Sequence, residues 1–138
     1  MKGTCPFHGA CVEGLVSSGA LARRCEVPAE QLSSVPDSHS CWDTTAFYLA
    51  HLCAVLALTV SPKVIVLGGG IMHRQVLLPA IRSKMLEILN GYLVSPFLTP
   101  ERIDQYVVRT PHGTNAGVLG SLVLAEGAHL RATGHNSL

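Results

Sequence analysis

From residue 43 to residue 60 nearly every position is apolar, and Phe47, Leu49, Leu52, Val55, Leu56 and Leu58 spread around a helical projection. A helix with no polar face is covered on several sides. Asp43 is placed to cap its start, and Pro62 stops it. The pattern then changes. Residues 63–67, Lys-Val-Ile-Val-Leu, form a β-branched run without alternation, which predicts a parallel strand covered on both faces. Val76, Leu77, Ile81, Met85, Ile88 and Leu89 recur close to the 3.6-residue period and predict a helix over 75–92, ended by Asn90-Gly91. Residues 103–109 read as a second strand, polar first and apolar at Val107-Val108. Residues 116–131 close the fold as a helix with Val118, Leu119, Leu122, Val123 and Ala125 on one side.

The chain ahead of the apolar helix is less regular. Residues 1–13 are loop, rich in Gly, Pro and Cys. Residues 13–24 read as a helix with Leu15, Leu21 and Ala22 turned inward. Ser17-Ser18-Gly19 at its middle costs about 1 kcal/mol relative to alanine and marks either a close backbone approach or a break between two short helices. Residues 27–41 are a polar connector with one helical turn at 29–32, and residues 133–138 are a polar tail. Strand, helix, strand in succession predicts an α/β fold with a short parallel sheet packed by helices.

Composition narrows the function classes. The 138 residues are one domain's worth, 48% hydrophobic and 14% charged, which leaves no room for long disorder. A net charge of +1 gives no electrostatic case for nucleic acid or a membrane surface. The apolar run 46–60, interrupted by His51 and Thr59, is short for a bilayer span. Five cysteines follow no signal peptide, and Cys25, Cys41 and Cys53 show no disulfide framework, so a reducing cytoplasm is the expected compartment.

Three stretches carry candidate chemistry. Cys5, His8 and Cys11 sit three residues apart, separated by Pro and Gly, and offer two thiolates and an imidazole to one ion. Zinc suits those donors, and a fourth ligand or an open position completes its shell; His39 and Cys41 in the connector are candidates for the fourth. Glu13 lies beside this loop at a helix start, where it either contacts a ligand's hydroxyls or caps the helix. Gly68-Gly69-Gly70 and Gly113-Thr114-Asn115 each end a predicted strand, where ligands of open α/β sheets lie, so the two turns are expected to flank one cleft. His73 and His112 follow or join these turns and either line that cleft or stand in solvent, while His51 is expected as a hydrogen-bonded core or interface histidine. There is no G-x-G-x-x-G, no Walker A lysine, no G-x-S-x-G elbow and no nucleophile–base–orienter set.

The run Cys-Pro-Phe-His-Gly-Ala-Cys-Val-Glu-Gly-Leu resembles the zinc-loop signature of the ROK sugar kinases (repressor, open reading frame, kinase), and within them the bacterial-type fructokinases. Trp42-Asp43 with Tyr48-Leu49-Ala50, the run 61–72 and Asn115-Ala116-Gly117-Val118-Leu119-Gly120 are similar in the same order. The resemblance implies an actin-like, ribonuclease-H-like kinase fold in which a hexose and ATP meet between two lobes, with Mg²⁺ on the nucleotide. It implies structural zinc on Cys5, His8 and Cys11, with the fourth ligand a histidine that has no counterpart here. Glu13 matches the acid that contacts the sugar; Gly68, Gly69 and Gly70 match the adenosine-side turn, with Gly113 and Asn115 opposite.

Only the carboxyl-terminal lobe of such a kinase is matched. On this reading residues 1–138 are a single incomplete domain, 1–13 the zinc loop and 42–131 an α/β nucleotide-side core. The lobe with the phosphate-binding Asp-x-Gly-Gly-Thr turn and the catalytic base is absent, so no catalytic residue is assigned and the chain alone is expected to be inactive. Its expected partners are hexose, ATP and either a second copy or the missing lobe, with no nucleic acid and no membrane. Two other readings stand beside this one. The first is a non-catalytic zinc-stabilised subunit or interaction module that pairs through an exposed sheet edge and an apolar helix; the second is the sensor half of a sugar-responsive repressor.

Overall fold

A computed structural model describes residues 2–134, with the Thr114 side chain set aside. In order, its regular elements are α1 (Val12–Val16), α2 (Ser18–Cys25), α3 (Ser40–Thr59), β1 (Ile65–Leu67), α4 (Leu77–Leu89), α5 (Ile103–Tyr106), β2 (Val107–Arg109) and α6 (Ala116–Ala132). Three 3₁₀ turns, Ala29–Ser34, Gly70–His73 and Gly113–Asn115, fill the connections. The class is α/β. β1 and β2 form a two-stranded parallel sheet in which Ile65 pairs with Val107, Val66 with Val108 and Leu67 with Arg109.

The expected helix over 13–24 is two helices. The chain breaks at Ser17, whose backbone is extended and whose hydroxyl accepts from the Ala20 amide, capping α2. A Cβ at Gly19 would meet nothing within 4 Å, so no close approach is involved. α3 begins three residues earlier than expected, because His39 rather than Asp43 is the cap: its Nδ1 accepts from the Cys41 amide at 3.1 Å. Asp43 stands in the first turn and pairs with Lys84 of α4 at 2.9 Å.

α3 is the central helix, and it packs mainly on α4 and α1. Its inward face is built from small residues: Ala46, Ala50, Cys53, Ala54 and Ala57 are all buried. Their size lets α4 approach, and Leu77, Ile81 and Met85 of α4 fill the space with no exposed surface. Each fully buried Leu, Ile or Met side chain contributes about 1.5–3 kcal/mol. The opposite side of α3 is not covered: Phe47, Val55 and Leu58 are roughly half exposed. His51 donates from Nδ1 to the Phe47 carbonyl at 2.9 Å and rests on the Phe47 ring, so it is hydrogen-bonded as expected but half-buried on this open side rather than in the core. Because it starts at Ser40, this 20-residue helix is long and apolar enough to cross a membrane by length and composition, which corrects the shorter run read from the sequence. Half of it is buried inside the fold, as in a core helix.

Three further expectations are corrected. The strand at 63–67 is covered on one side only, with Ile65 buried while Val64 and Val66 stand open. Residues 103–106 make one helical turn before β2, since Ile103 and Tyr106, three positions apart, both reach the core. Arg82 secures that turn by donating to the carbonyls of Val107 and Asp104. α4 ends where Asn90-Gly91 predicted, with Asn90 in the left-handed region, but it starts at Leu77 and leaves Val76 outside the core. α6 forms over almost its expected span, yet no described residue in it is buried; it touches chiefly the turn that precedes it. Of the predicted polar tail, residues 135–138 lie outside the described residues.

A second, smaller hydrophobic cluster joins α2, the connector and the start of α3. Leu21, Leu32, Val35, Cys41 and Trp42 are its buried members.

Candidate functional site

The cysteine loop closes as a tight knuckle. Cys5 and Gly9 exchange backbone hydrogen bonds of 3.2 and 3.0 Å, with Gly9 at φ +58°, a conformation that favours glycine. Thr4 ties the loop to α1 through its amide, 2.8 Å from the Gly14 carbonyl. Gly14 has to be glycine: a Cβ there would lie 2.1 Å from the Gly9 carbonyl oxygen. The result brings Cys5, His8 and Cys11 together, their ligand atoms within 4.8 Å of one another and Cys5 Sγ 3.8 Å from His8 Nδ1. Tetrahedral zinc with bonds of about 2.0–2.3 Å sets its ligand atoms about 3.3–3.8 Å apart, so a small inward shift suffices. Hydrogen bonds from the backbone of His8 and Phe7 hold the Cys5 thiol below its usual range, with the Cys11 thiol acting the same way against burial and Glu13. The donors therefore fit a zinc ion, one ligand short. His39 and Cys41 do not supply the fourth; they group with Cys25 instead. Glu13 is exposed in the first turn of α1, next to the knuckle.

The two glycine turns meet. β1 and β2 are adjacent and parallel, and the Thr110 amide continues their ladder onto the Leu67 carbonyl at 2.9 Å. A Cβ on Gly68 would come within 3.2 Å of Thr110 Cγ2, and one on Gly113 within 3.9 Å of His73 Cε1. Gly69 and Gly113 have φ of +96° and +52°. Asn115 is exposed at the end of the second turn.

Beside the first turn opens a cleft of about 500 Å³ walled by Gly70, Ile71, His73, Arg74, Gln75, Trp42 and the connector residues Leu32, Ser33 and Asp37, with Ser18 at its edge. Arg74 is its most heavily constrained side chain. It pairs with Asp37 at 2.8 Å, donates to the Leu32 and Ser33 carbonyls at 3.1 Å, and lies 4.4 Å over the Trp42 ring. Trp42 is held in turn by its indole N–H on the Pro36 carbonyl, 2.8 Å away. The cleft thus joins an aromatic face, a glycine backbone edge, a guanidinium and an imidazole.

Of the expected residues only Gly70 and His73 line this cleft; Gly68 and Gly69 precede Gly70 in the same turn, Gly113 lies against His73, and Asn115 and His112 stand exposed without lining it. No described residue of the cysteine loop lines it. Sequence reasoning missed Arg74 and Asp37 as cleft residues. The available signal was an arginine directly after the Gly-Gly-Gly-Ile-Met-His run and an aspartate in the polar connector.

Comparison with known proteins adds the decisive observation: residues 1–128 match the ROK family. The chain belongs to the ROK family. A fructokinase of Pediococcus pentosaceus is 35% identical over 92% of this chain and 41% of its own length. One of Streptococcus mutans is 34% identical over 90% of this chain and 40% of its own. A Bacillus subtilis protein with a provisional fructokinase name is 37% identical over 92% of this chain and 41% of its own length. This ROK chain therefore spans about two fifths of the curated relatives it matches.

Proposed function

We propose that this chain supplies the carboxyl-terminal lobe of an ATP-dependent hexose kinase of the fructokinase type, fructose being the favoured sugar. The observation that carries the reading is the meeting of Gly68–Gly70 with the Gly113 turn at the carboxyl ends of two adjacent parallel strands, beside a cleft with an aromatic wall. The fructokinase names of the relatives supply the substrate class. In this reading the fold is one lobe of an actin-like, ribonuclease-H-like kinase and residues 42–131 are its nucleotide side. The adenosine lies along Gly68, Gly69 and Gly70, with Gly113 and Asn115 across from them.

On the sugar side, residues 1–13 form the zinc loop. Cys5, His8 and Cys11 would hold a structural zinc, which braces the loop that presents Glu13 to sugar hydroxyls. The cysteine loop does not line the cleft, and in this reading a sugar and a nucleotide are brought face to face when the other lobe closes over both. The base and the groups that bind the Mg²⁺-bound phosphates belong to that lobe, and its counterpart here is either further polypeptide or a second protein. A cytoplasmic setting follows from the substrates and from five free thiols.

Trp42 is the only tryptophan and forms part of the cleft wall, which makes the reading testable. Titrating the 138-residue chain with ATP or adenosine should change Trp42 fluorescence saturably, and Arg74→Ala should weaken the response. In a coupled assay with fructose and Mg²⁺-ATP the chain should show no turnover. Fluorescence that stays flat up to several millimolar nucleotide would remove the adenosine site and favour the second reading, a non-catalytic module. That alternative draws its support from the uncovered apolar surface of α6 and of the β1 strand.

A further inference from the structure

Two cysteines and a histidine that no short motif connects come together at the far end of α2 from the cysteine knuckle. Cys25 is the last residue of α2, His39 caps α3, and Cys41 lies in the first turn of α3. Their ligand atoms all fall within 4.8 Å of one another, the same limit as in the knuckle, and Cys25 Sγ is 3.9 Å from His39 Nδ1. We propose that Cys25, His39 and Cys41 form a second metal site, taking a thiophilic divalent cation of the zinc class on three protein ligands with one coordination position left open.

Donor chemistry is the first support. Two thiolates and an imidazole select zinc-like cations over magnesium or calcium, which prefer oxygen. The surroundings are the second. Cys41 is buried among Leu21, Leu32, Val35 and Trp42, and Cys25 is packed against the same cluster, so the ligands are held by a small core rather than by a free loop. Third is the connection it would close. Residues 26–39 contain only a 3₁₀ turn as regular structure, and a cation on Cys25, His39 and Cys41 would tie the end of α2 to the start of α3 across it.

Loading the site has a definite balance. Each thiol gives up its proton to solvent, and two sulfur–metal bonds form. Before loading, burial and the nearby Cys25 push the Cys41 thiol up to about 12, with Arg24 and Arg74 opposing them, and a bound cation reverses that preference. His39 Nδ1 accepts from the Cys41 amide in this structure, and one lone pair cannot serve an amide and a metal together. Binding through Nδ1 therefore exchanges the α3 cap for a metal bond and frees the Cys41 amide.

The test is metal counting on the 138-residue chain, purified under reductant, saturated with Zn²⁺ and desalted. The expected result is a bound equivalent that survives Cys5→Ser with Cys11→Ser and disappears in Cys25→Ser with Cys41→Ser. Loaded with Co²⁺, the knuckle variant should keep a thiolate-to-metal absorption band. Should the Cys25 and Cys41 variant not fold, the wild-type chain answers by itself: zinc should shield Cys25 from iodoacetamide, and removing zinc should expose it. Zinc content that falls to nothing with the knuckle variant, Cys25 labelling indifferent to zinc, or a Cys25–Cys41 disulfide persisting under reductant would each overturn the proposal. The outcome does not depend on kinase activity.

Discussion

Two helices of this chain, α3 and α6, are apolar around most of their circumference, yet α3 buries nine residues and α6, among the described residues, buries none. Neither has a strong polar face, so periodicity does not separate them. The difference lies in their neighbours and in the sizes of their side chains. α3 offers a stripe of Ala46, Ala50, Cys53, Ala54 and Ala57 against which α4 can lie close. α6 follows the Gly113 turn past the edge of a two-stranded sheet, and Val118, Leu122, Val123 and Leu124 are each more than 60% exposed. Apolar composition makes a helix seek cover; the rest of the fold decides whether it finds any. If this chain is one lobe of a longer kinase, α6 is where further polypeptide is most needed.

The largest effect that would sharpen this contrast is expected on the α4 side of α3. Ile81 has no exposed surface, and Ile81→Ala should cost about 2–5 kcal/mol, read as a lower urea midpoint. A loss under about 1 kcal/mol would mean that the α3–α4 contact is not the core. Next is Gly14→Ala in α1, which also packs on α3. Its new methyl would collide with the Gly9 carbonyl, costing about 1–3 kcal/mol and lowering the zinc bound by the knuckle together with stability. Stability reduced with zinc unchanged would separate the knuckle from the helix it leads into.

A subtler test uses Cys53, in the covered face of α3, where burial pushes the thiol up to about 11. The unfolded thiol titrates near about 8.5. Above that pH the unfolded chain has lost a proton that the folded chain keeps, so this group's contribution to stability falls as pH rises, until about pH 11. Wild type should therefore lose more stability than Cys53→Ala across that window, measured by denaturant midpoints at each pH. Parallel losses would show that the thiol is wetter than its packing indicates. Smallest is Leu122→Ala in α6, which should change stability by no more than about 0.5 kcal/mol while reducing self-association on a sizing column. A cost equal to that of a core residue would show that α6 is covered in solution, and the contrast between the two helices would be broken.

Element type was legible wherever one local signal dominated. Asn90-Gly91 ended α4 because the left-handed conformation there is local chemistry, and the β-branched run before Gly68 gave a strand because side-chain shape favours one. Residues 103–106 were misread because four residues carry too little period to separate a helical turn from a strand. Asp43 looked like a cap on residue type alone, but the cap went to His39, whose own amide is held on the Pro36 carbonyl and whose Nδ1 accepts from the Cys41 amide. In the candidate site the three-residue spacing of Cys5, His8 and Cys11 was readable, since a tight loop brings near neighbours together whatever surrounds it.

By itself, then, the sequence determined the cysteine knuckle, the strand and long helix that follow the central helix, and the glycine turns that end both strands, because each depends on residues within a few positions of one another. Tertiary structure alone decided that Arg74 reaches Asp37 and Trp42, that Cys25 meets His39 and Cys41, and that α6 stays uncovered. Those outcomes turn on residues 14 to 37 positions apart, or on which elements are present to pack, and no local preference encodes either.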